Sequence, residues 1–105
     1  MNKVPVSIVL IARNEEHNLK DCLDSCAFAE EIILVDDNST DKTVAIAQSY
    51  GAKIYTRALA GNWGAQQTFA IEKATQPWIF LIDADERCSP QLAEEIVKTV
   101  ERGEK

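Results

Sequence analysis

The sequence predicts an α/β domain built on a parallel sheet of four strands in the order 3-2-1-4, with helices on both faces. Three observations carry this prediction. Four short apolar runs each precede a stretch of helical periodicity, the alternation that builds parallel sheets. The first two runs are nearly continuous in apolar and β-branched residues, as suits strands covered on both faces. The sharpest polar clusters directly follow the first, second and fourth runs. With right-handed crossovers, such a chain reverses strand order between its first and fourth strands, and ligands bind outside the carboxyl ends at that reversal.

Each element has its own signal. Val6-Ser7-Ile8-Val9-Leu10-Ile11 is the first strand. From Glu15 to about Ala27, the residues Leu19, Cys22, Leu23 and Cys26 fall at i, i+3, i+4 and i+7, one stripe of a helix. Ile32-Ile33-Leu34-Val35 is the second strand and stops at Asp36-Asp37. Asn38-Ser39-Thr40 supply turn and N-cap chemistry for a second helix that runs to Tyr50, with Gly51 as its stop. Lys53 to Arg57 holds the β formers Ile54, Tyr55 and Thr56, a weaker third strand. A loop over 58–64 leads into a third helix at 65–74. Trp78 to Ile82 is the fourth strand and runs into Asp83-Ala84-Asp85-Glu86. Ser89-Pro90 pairs an N-cap hydroxyl with a proline at the first helical position. Leu92, Ile96 and Val100 form that helix's buried face, Glu94 pairs with Lys98, and Gly103 ends it. The whole reads as one Rossmann-like domain, residues 1–105, without repeat or linker.

Composition narrows the function. The chain has 105 residues, 17 Asp+Glu against 11 Lys+Arg, a net charge of −6 and 46% hydrophobic residues. That is too apolar for a disordered chain and lacks the basic stripe of a nucleic-acid binder. No apolar run reaches the ~20 residues that span a bilayer. The longest, Val4 to Ala12, ends in Arg13-Asn14-Glu15-Glu16 with no cleavage pattern after it, so a cytoplasmic protein is expected. The 3 Cys form no CxxC pair, and Cys22 and Cys26 read as small core residues. The single His17 reads as a solvated surface residue, which argues against a Ser-His-Asp or Cys-His catalytic arrangement.

Candidate chemistry gathers at the carboxyl ends of the strands. If strand geometry persists through Asp83 and Asp85, their Cα atoms stand ~6.5 Å apart on one side. Two bare carboxylates there repel by ~2.5 kcal/mol at an effective dielectric of about 20. A divalent cation removes that penalty, and oxygen ligands suit Mg²⁺ or Mn²⁺. An isolated D-x-D more often marks a turn; the apolar strand before it and the second acidic pair favour the metal reading here. At Asp36-Asp37, Ser39 and Thr40 are better placed to cap the following helix, which leaves the two acids to accept hydrogen bonds from a ribose hydroxyl or a base N–H. The amides of Ala60-Gly61-Asn62-Trp63-Gly64 open a helix and face a diphosphate in this reading. No G-x-G-x-x-G follows the first strand and no P-loop is present, which argues against a dinucleotide oxidoreductase and a P-loop enzyme. Other readings of these acids are a metal-dependent phosphatase, a Mg²⁺-binding receiver domain and a catalytically inactive nucleotide-binding module.

Three segments together carry a resemblance. Ser7 to Ile11 running into Arg13-Asn14-Glu15-Glu16, then Val35-Asp36-Asp37-Asn38-Ser39-Thr40-Asp41, then Phe80-Leu81-Ile82-Asp83-Ala84-Asp85-Glu86, resemble the N-terminal half of family 2 glycosyltransferases of GT-A fold. With Gly61-Asn62-Trp63-Gly64-Ala65-Gln66, the set is most similar to the branch that adds sugars to the lipopolysaccharide inner core, notably β-1,4-glucosyltransferases.

The resemblance implies inverting sugar transfer from a nucleotide diphosphate sugar, usually a UDP-sugar, to a saccharide or lipid-linked saccharide acceptor. It implies that Asp37 contacts the nucleoside with Asp36 beside it, that Ile11, Ala12 and Arg13 line the base, and that Arg57 lies near. Asp83 reaches the ribose or a metal-bound water, and Asp85 ligates Mn²⁺ or Mg²⁺. Gln67 and Thr68 stand where many members carry a basic residue and Asn, and Arg13 where an aromatic often stacks on the base. The general base that deprotonates the acceptor is expected outside this stretch, as is the acceptor site. A lipid-linked acceptor implies work at the inner face of a membrane, although no basic amphipathic helix marks such a surface.

Overall fold

The computed structural model describes residues 3–103; the outermost residues of the expected 1–105 domain lie outside that range. The elements are β1 (Val4–Ala12), α1 (Leu19–Ser25), β2 (Ala29–Asp36), α2 (Thr43–Ser49), β3 (Lys53–Thr56), α3 (Trp63–Glu72), β4 (Trp78–Leu81) and α4 (Pro90–Glu101). The sheet runs β3-β2-β1-β4 with every pairing parallel, the predicted order.

Strand pleating divides the core into two unequal layers. Val4, Val6, Ile8, Leu10 and Ala12 of β1 pack with Leu19, Cys22 and Leu23 of α1, Ala47 of α2, and Ala93 and Val100 of α4. On the other face Val9, Ile33 and Val35 meet Ala70 of α3. The sheet therefore carries three helices on one face and one on the other. Phe28, Ile8, Leu10, Leu19 and Leu23 are fully buried, each contributing about 1.5–3 kcal/mol relative to exposure.

Several expectations about helix ends fail for one reason: the loops above β1 and β2 bond to each other. The helix expected from Glu15 begins at Leu19, because Asn14 takes a positive φ of 54° and Glu15–Asn18 form a turn. The N–H groups of that turn are satisfied by the neighbouring loop. Asn14 N donates to Ser39 Oγ (2.8 Å), Glu15 N to Thr43 Oγ1 (2.9 Å) and Glu16 N to Asp41 Oδ2 (3.1 Å). Asn14 Oδ1 in return accepts from Thr40 N at 2.8 Å. Ser39 therefore caps a foreign turn and not its own helix. The N-cap of α2 is Lys42, which makes no side-chain cap bond.

The ends of α4 follow the local pattern. Ser89 Oγ accepts from Leu92 N, Pro90 opens the helix, Glu94 and Lys98 pair at 2.8 Å, and Gly103 follows with φ 71°. Gly51, at φ 77°, likewise ends α2. Leu92 departs from expectation. It is 44% exposed, because Ala93, Ile96, Val97 and Val100 form the stripe that meets the sheet.

One buried polar cluster ties the sheet together near its amino end. Glu31, opposite Ser7 in the β1–β2 register, accepts from Ser7 Oγ (2.6 Å), Lys53 Nζ (2.6 Å), Thr75 N (2.8 Å) and Thr75 Oγ1 (2.7 Å). Burial pushes its carboxyl up, but the bonds from Lys53, Ser7 and Thr75 outweigh that and bring it down to about 2.

Candidate functional site

Strand β1 ends at Ala12, β2 at Asp36 and β4 at Leu81, so the segments that follow them rise side by side. Between them lies a cleft of about 320 Å³. Ile11, Ala12 and Arg13 wall it from β1, Asp37 from β2, and Asp83, Ala84 and Asp85 from β4. Glu15, Leu59 and Trp63 complete the lining. A second hollow of about 190 Å³ shares Ile11, Trp63 and Asp83 with the first and adds Gln67, Leu81 and Glu86.

Asp83 and Asp85 do not continue the strand. The chain turns after Leu81: Glu86 N donates to Asp83 O at 2.9 Å, and Asp83 N donates to Glu86 Oε1 at 2.9 Å. Ala84 is buried in the core cluster while both aspartates are exposed, so the turn still presents its two carboxylates to the cleft. Partial desolvation, then the charges of Glu86, Asp85 and Glu15, push the Asp83 carboxyl up from its ordinary value.

Asp37 holds its place through Oδ1, which accepts Leu59 N at 3.0 Å; its Oδ2 lies 4.0 Å from the Arg13 guanidinium. The two acids at 36–37 therefore do have structural duties, contrary to the sequence expectation. Asp36 is only 3% exposed, its Oδ2 accepts Ser39 N at 2.9 Å, and its Oδ1 has no hydrogen-bond partner among the described residues. Asp36 does not line the cleft. Neither does Arg57: its guanidinium donates to Gln66 Oε1 at 2.6 Å and stacks 5.2 Å from the Phe69 ring centroid, which turns it toward α3. The fold thus gathers Ile11, Ala12, Arg13, Asp37, Asp83 and Asp85 and leaves Asp36 and Arg57 outside the wall.

Trp63, Glu15 and Leu59 belong to the cleft although the sequence did not single them out. Trp63 had a signal: it stands between two loop glycines at the start of a helix, where no stripe buries it, and it is 47% exposed. Leu59 and Glu15 had none, since their placement depends on partners far along the chain.

The cleft walls carry four carboxylates and one guanidinium. Such a wall repels an anionic ligand unless a cation accompanies it. Among the described residues no group of three or more His, Cys, Asp or Glu closes around a metal by itself. The donor set instead fits a hard cation that takes one or two carboxylates here and its other ligands from phosphate oxygens and water.

A crossover sheet with an acidic cleft at its strand-order reversal belongs to the α/β architectures that, as a class, bind ligands at that place. The glycosyl transferase family 2 sequence profile matches residues 7–105, and the chain belongs to that family. It is 43% identical over 96 residues to the lipopolysaccharide core biosynthesis glycosyltransferase LpsC of Rhizobium meliloti (strain 1021), covering 88% of this chain and 36% of that one. The fold matches S. aureus TarS, solved with UDP, at a TM-score of 0.77 and 21% identity, over 97% of this chain and 32% of that one. It also matches glucosyl-3-phosphoglycerate synthase from Mycobacterium tuberculosis, solved with Mn²⁺, UDP and glucosyl-3-phosphoglycerate, at 0.64 and 24% identity, over 77% and 33% of the two chains. These neighbours are GT-A glycosyltransferases, as expected from the resemblance, and the chain spans about a third of the length of these proteins. Family membership replaces the phosphatase and receiver readings. No helix among the described residues is long and apolar enough to cross a membrane.

Proposed function

We propose that residues 1–105 are the nucleotide-sugar-binding domain of a metal-assisted, inverting glycosyltransferase that works on lipopolysaccharide core or a related cell-envelope saccharide. The observation that supports this best is the meeting of Arg13, Asp37, Asp83 and Asp85 around one cleft from three distant parts of the chain. The likeness to LpsC supports the acceptor class, and a UDP-sugar is the donor we assign. A lipid-linked acceptor would bring the protein to the inner face of a membrane.

In this reading, the Oδ2 of Asp37 accepts a hydrogen bond from the base, while its Oδ1 stays bonded to Leu59 N. Ile11 and Ala12 supply an apolar wall for the base, and Arg13 a positive charge at the rim. Asp83 faces the ribose and shares with Asp85 the holding of Mn²⁺ or Mg²⁺. When bound, the cation neutralises charge that builds on the departing diphosphate. Asp36 acts from behind by fixing the Ser39 turn, and Arg57 by bracing α3. We assign the general base and the acceptor site to the additional length of the relatives, so the 105-residue chain binds donor and transfers nothing by itself.

Titration of UDP against the purified chain, with and without Mn²⁺, tests the reading. Mn²⁺ should tighten UDP binding, and Asp85→Ala should remove about tenfold of that gain. Equal binding by Asp85→Ala and the parent in Mn²⁺ refutes the metal assignment. Absence of UDP binding refutes the donor reading as a whole.

A further inference from the structure

The segment that carries Asp83 and Asp85 has no helix or strand of its own between Leu81 and Pro90, yet α1 holds it at three points. Cys22, fully buried, donates from Sγ to the Asp83 carbonyl oxygen at 3.6 Å, an oxygen that also accepts Glu86 N. At the far end of the segment, Cys88 N donates to Ser25 Oγ at 3.0 Å, and that hydroxyl donates onward to Cys22 O at 2.6 Å. Between these, Asp21 Oδ2 lies 3.8 Å from Arg87 Nη2, while Arg87 Nη1 donates to the carbonyls of Ala84 (3.3 Å) and Glu86 (2.9 Å).

We propose that Cys22 and Ser25 are positioning residues that set where the Asp83 and Asp85 carboxylates stand in the cleft, acting through the backbone of segment 83–88. The inference rests on the donor-binding reading of the cleft. A loop without regular structure owes its shape to the bonds at its ends, and metal–diphosphate binding tolerates only about 0.5 Å of error in its ligands. An S–H donor contributes little to global stability, so a thiol and a hydroxyl spent on two loop ends act chiefly on loop position. One turn of α1 supplies both, together with the charge that meets Arg87.

The test compares Ser25→Ala, Ser25→Thr, Cys22→Ala and Asp21→Asn in the full chain. Each is titrated with UDP in the presence and absence of Mn²⁺, with amide exchange followed over residues 84–88. Ser25→Ala is expected to weaken the Mn²⁺-dependent binding about fivefold, the size of one lost net hydrogen bond, and to speed exchange at Cys88, while Cys22→Ala, which removes a weaker donor, weakens it about twofold to threefold and speeds exchange at Glu86. Metal-free UDP binding should hold, because it draws on Asp37 and the β1 wall. Ser25→Thr, which keeps the hydroxyl, should bind like the parent. Asp21→Asn, an exposed change that leaves the core intact, should show a smaller loss of the same kind. If the parent shows Mn²⁺-dependent UDP binding and folded Ser25→Ala and Cys22→Ala match it, the positioning role is wrong while the donor reading stands. The positioning role is equally overturned if Ser25→Thr is as weak as Ser25→Ala, or if Asp21→Asn leaves binding and exchange unchanged where the core variants do not fold. If the parent binds no UDP, both readings fall together.

Discussion

At the scale of single residues, the cleft separates side chains that face its open space from those that hold them in place. Asp37 does both, one oxygen on Leu59 N and the other toward Arg13, whereas its neighbour Asp36 is buried behind the wall. Trp63 is a large apolar side chain of the lining, and an indole left 47% exposed is available to cover a base or a sugar ring. Trp63→Ala should weaken UDP binding by about 1 kcal/mol, close to fivefold. It should also abolish most of the change in tryptophan emission on adding UDP, since Trp78 lies outside the cleft; an unchanged emission response would show that the indole does not meet the ligand. The acidic residues of the cleft were legible because they cluster directly after apolar runs. The split between Asp36 and Asp37 was not, because two adjacent residues point opposite ways and only their partners at Ser39 and Leu59 decide which one faces outward. The Cys22 thiol was correctly read as core. The neighbouring Cys26 thiol, then burial, push it above the usual range, which keeps the proton that it donates to the Asp83 carbonyl.

Among the elements, α4 shows what local pattern decides well. Its Ser89 cap, Pro90 start and Gly103 stop were legible because each signal acts within four residues. Ser89→Ala should lower unfolding stability by about 1 kcal/mol, read in a urea titration, with UDP binding unchanged. The opposite case is the start of α1. The turn that precedes it is held from 25 to 28 residues away, by Ser39, Asp41 and Thr43, so no window centred on Glu15 reveals where the helix begins. Leu92 shows a third kind of error. A stripe at 92, 96 and 100 and a stripe at 93, 96, 97 and 100 are both helical, and only the position of the sheet selects the second.

For the molecule as a whole, strand order was legible because alternation and crossover handedness leave few choices. The anchor at Glu31 was not legible, although a lone Ser7 inside an apolar strand hinted that something polar faced it. Its effect on stability has a definite sign. The folded carboxyl, at about 2, lies below the ~4.3 of an unfolded glutamate, so its contribution is complete above pH ~4.3 and is lost as pH falls toward 2. Thermal melts from pH 5 down to 2 should show a decline on the order of 2 kcal/mol from this group. Glu31→Gln should flatten that portion while lowering stability at pH 7 by about 1–3 kcal/mol; a variant with the parent's acid profile would assign the decline elsewhere. This anchor sits toward the amino ends of the strands, on the rim away from the cleft. Robustness and recognition are thereby kept apart. A lineage, or a protein engineer, can rework one rim toward a new ligand while the opposite rim goes on securing the scaffold.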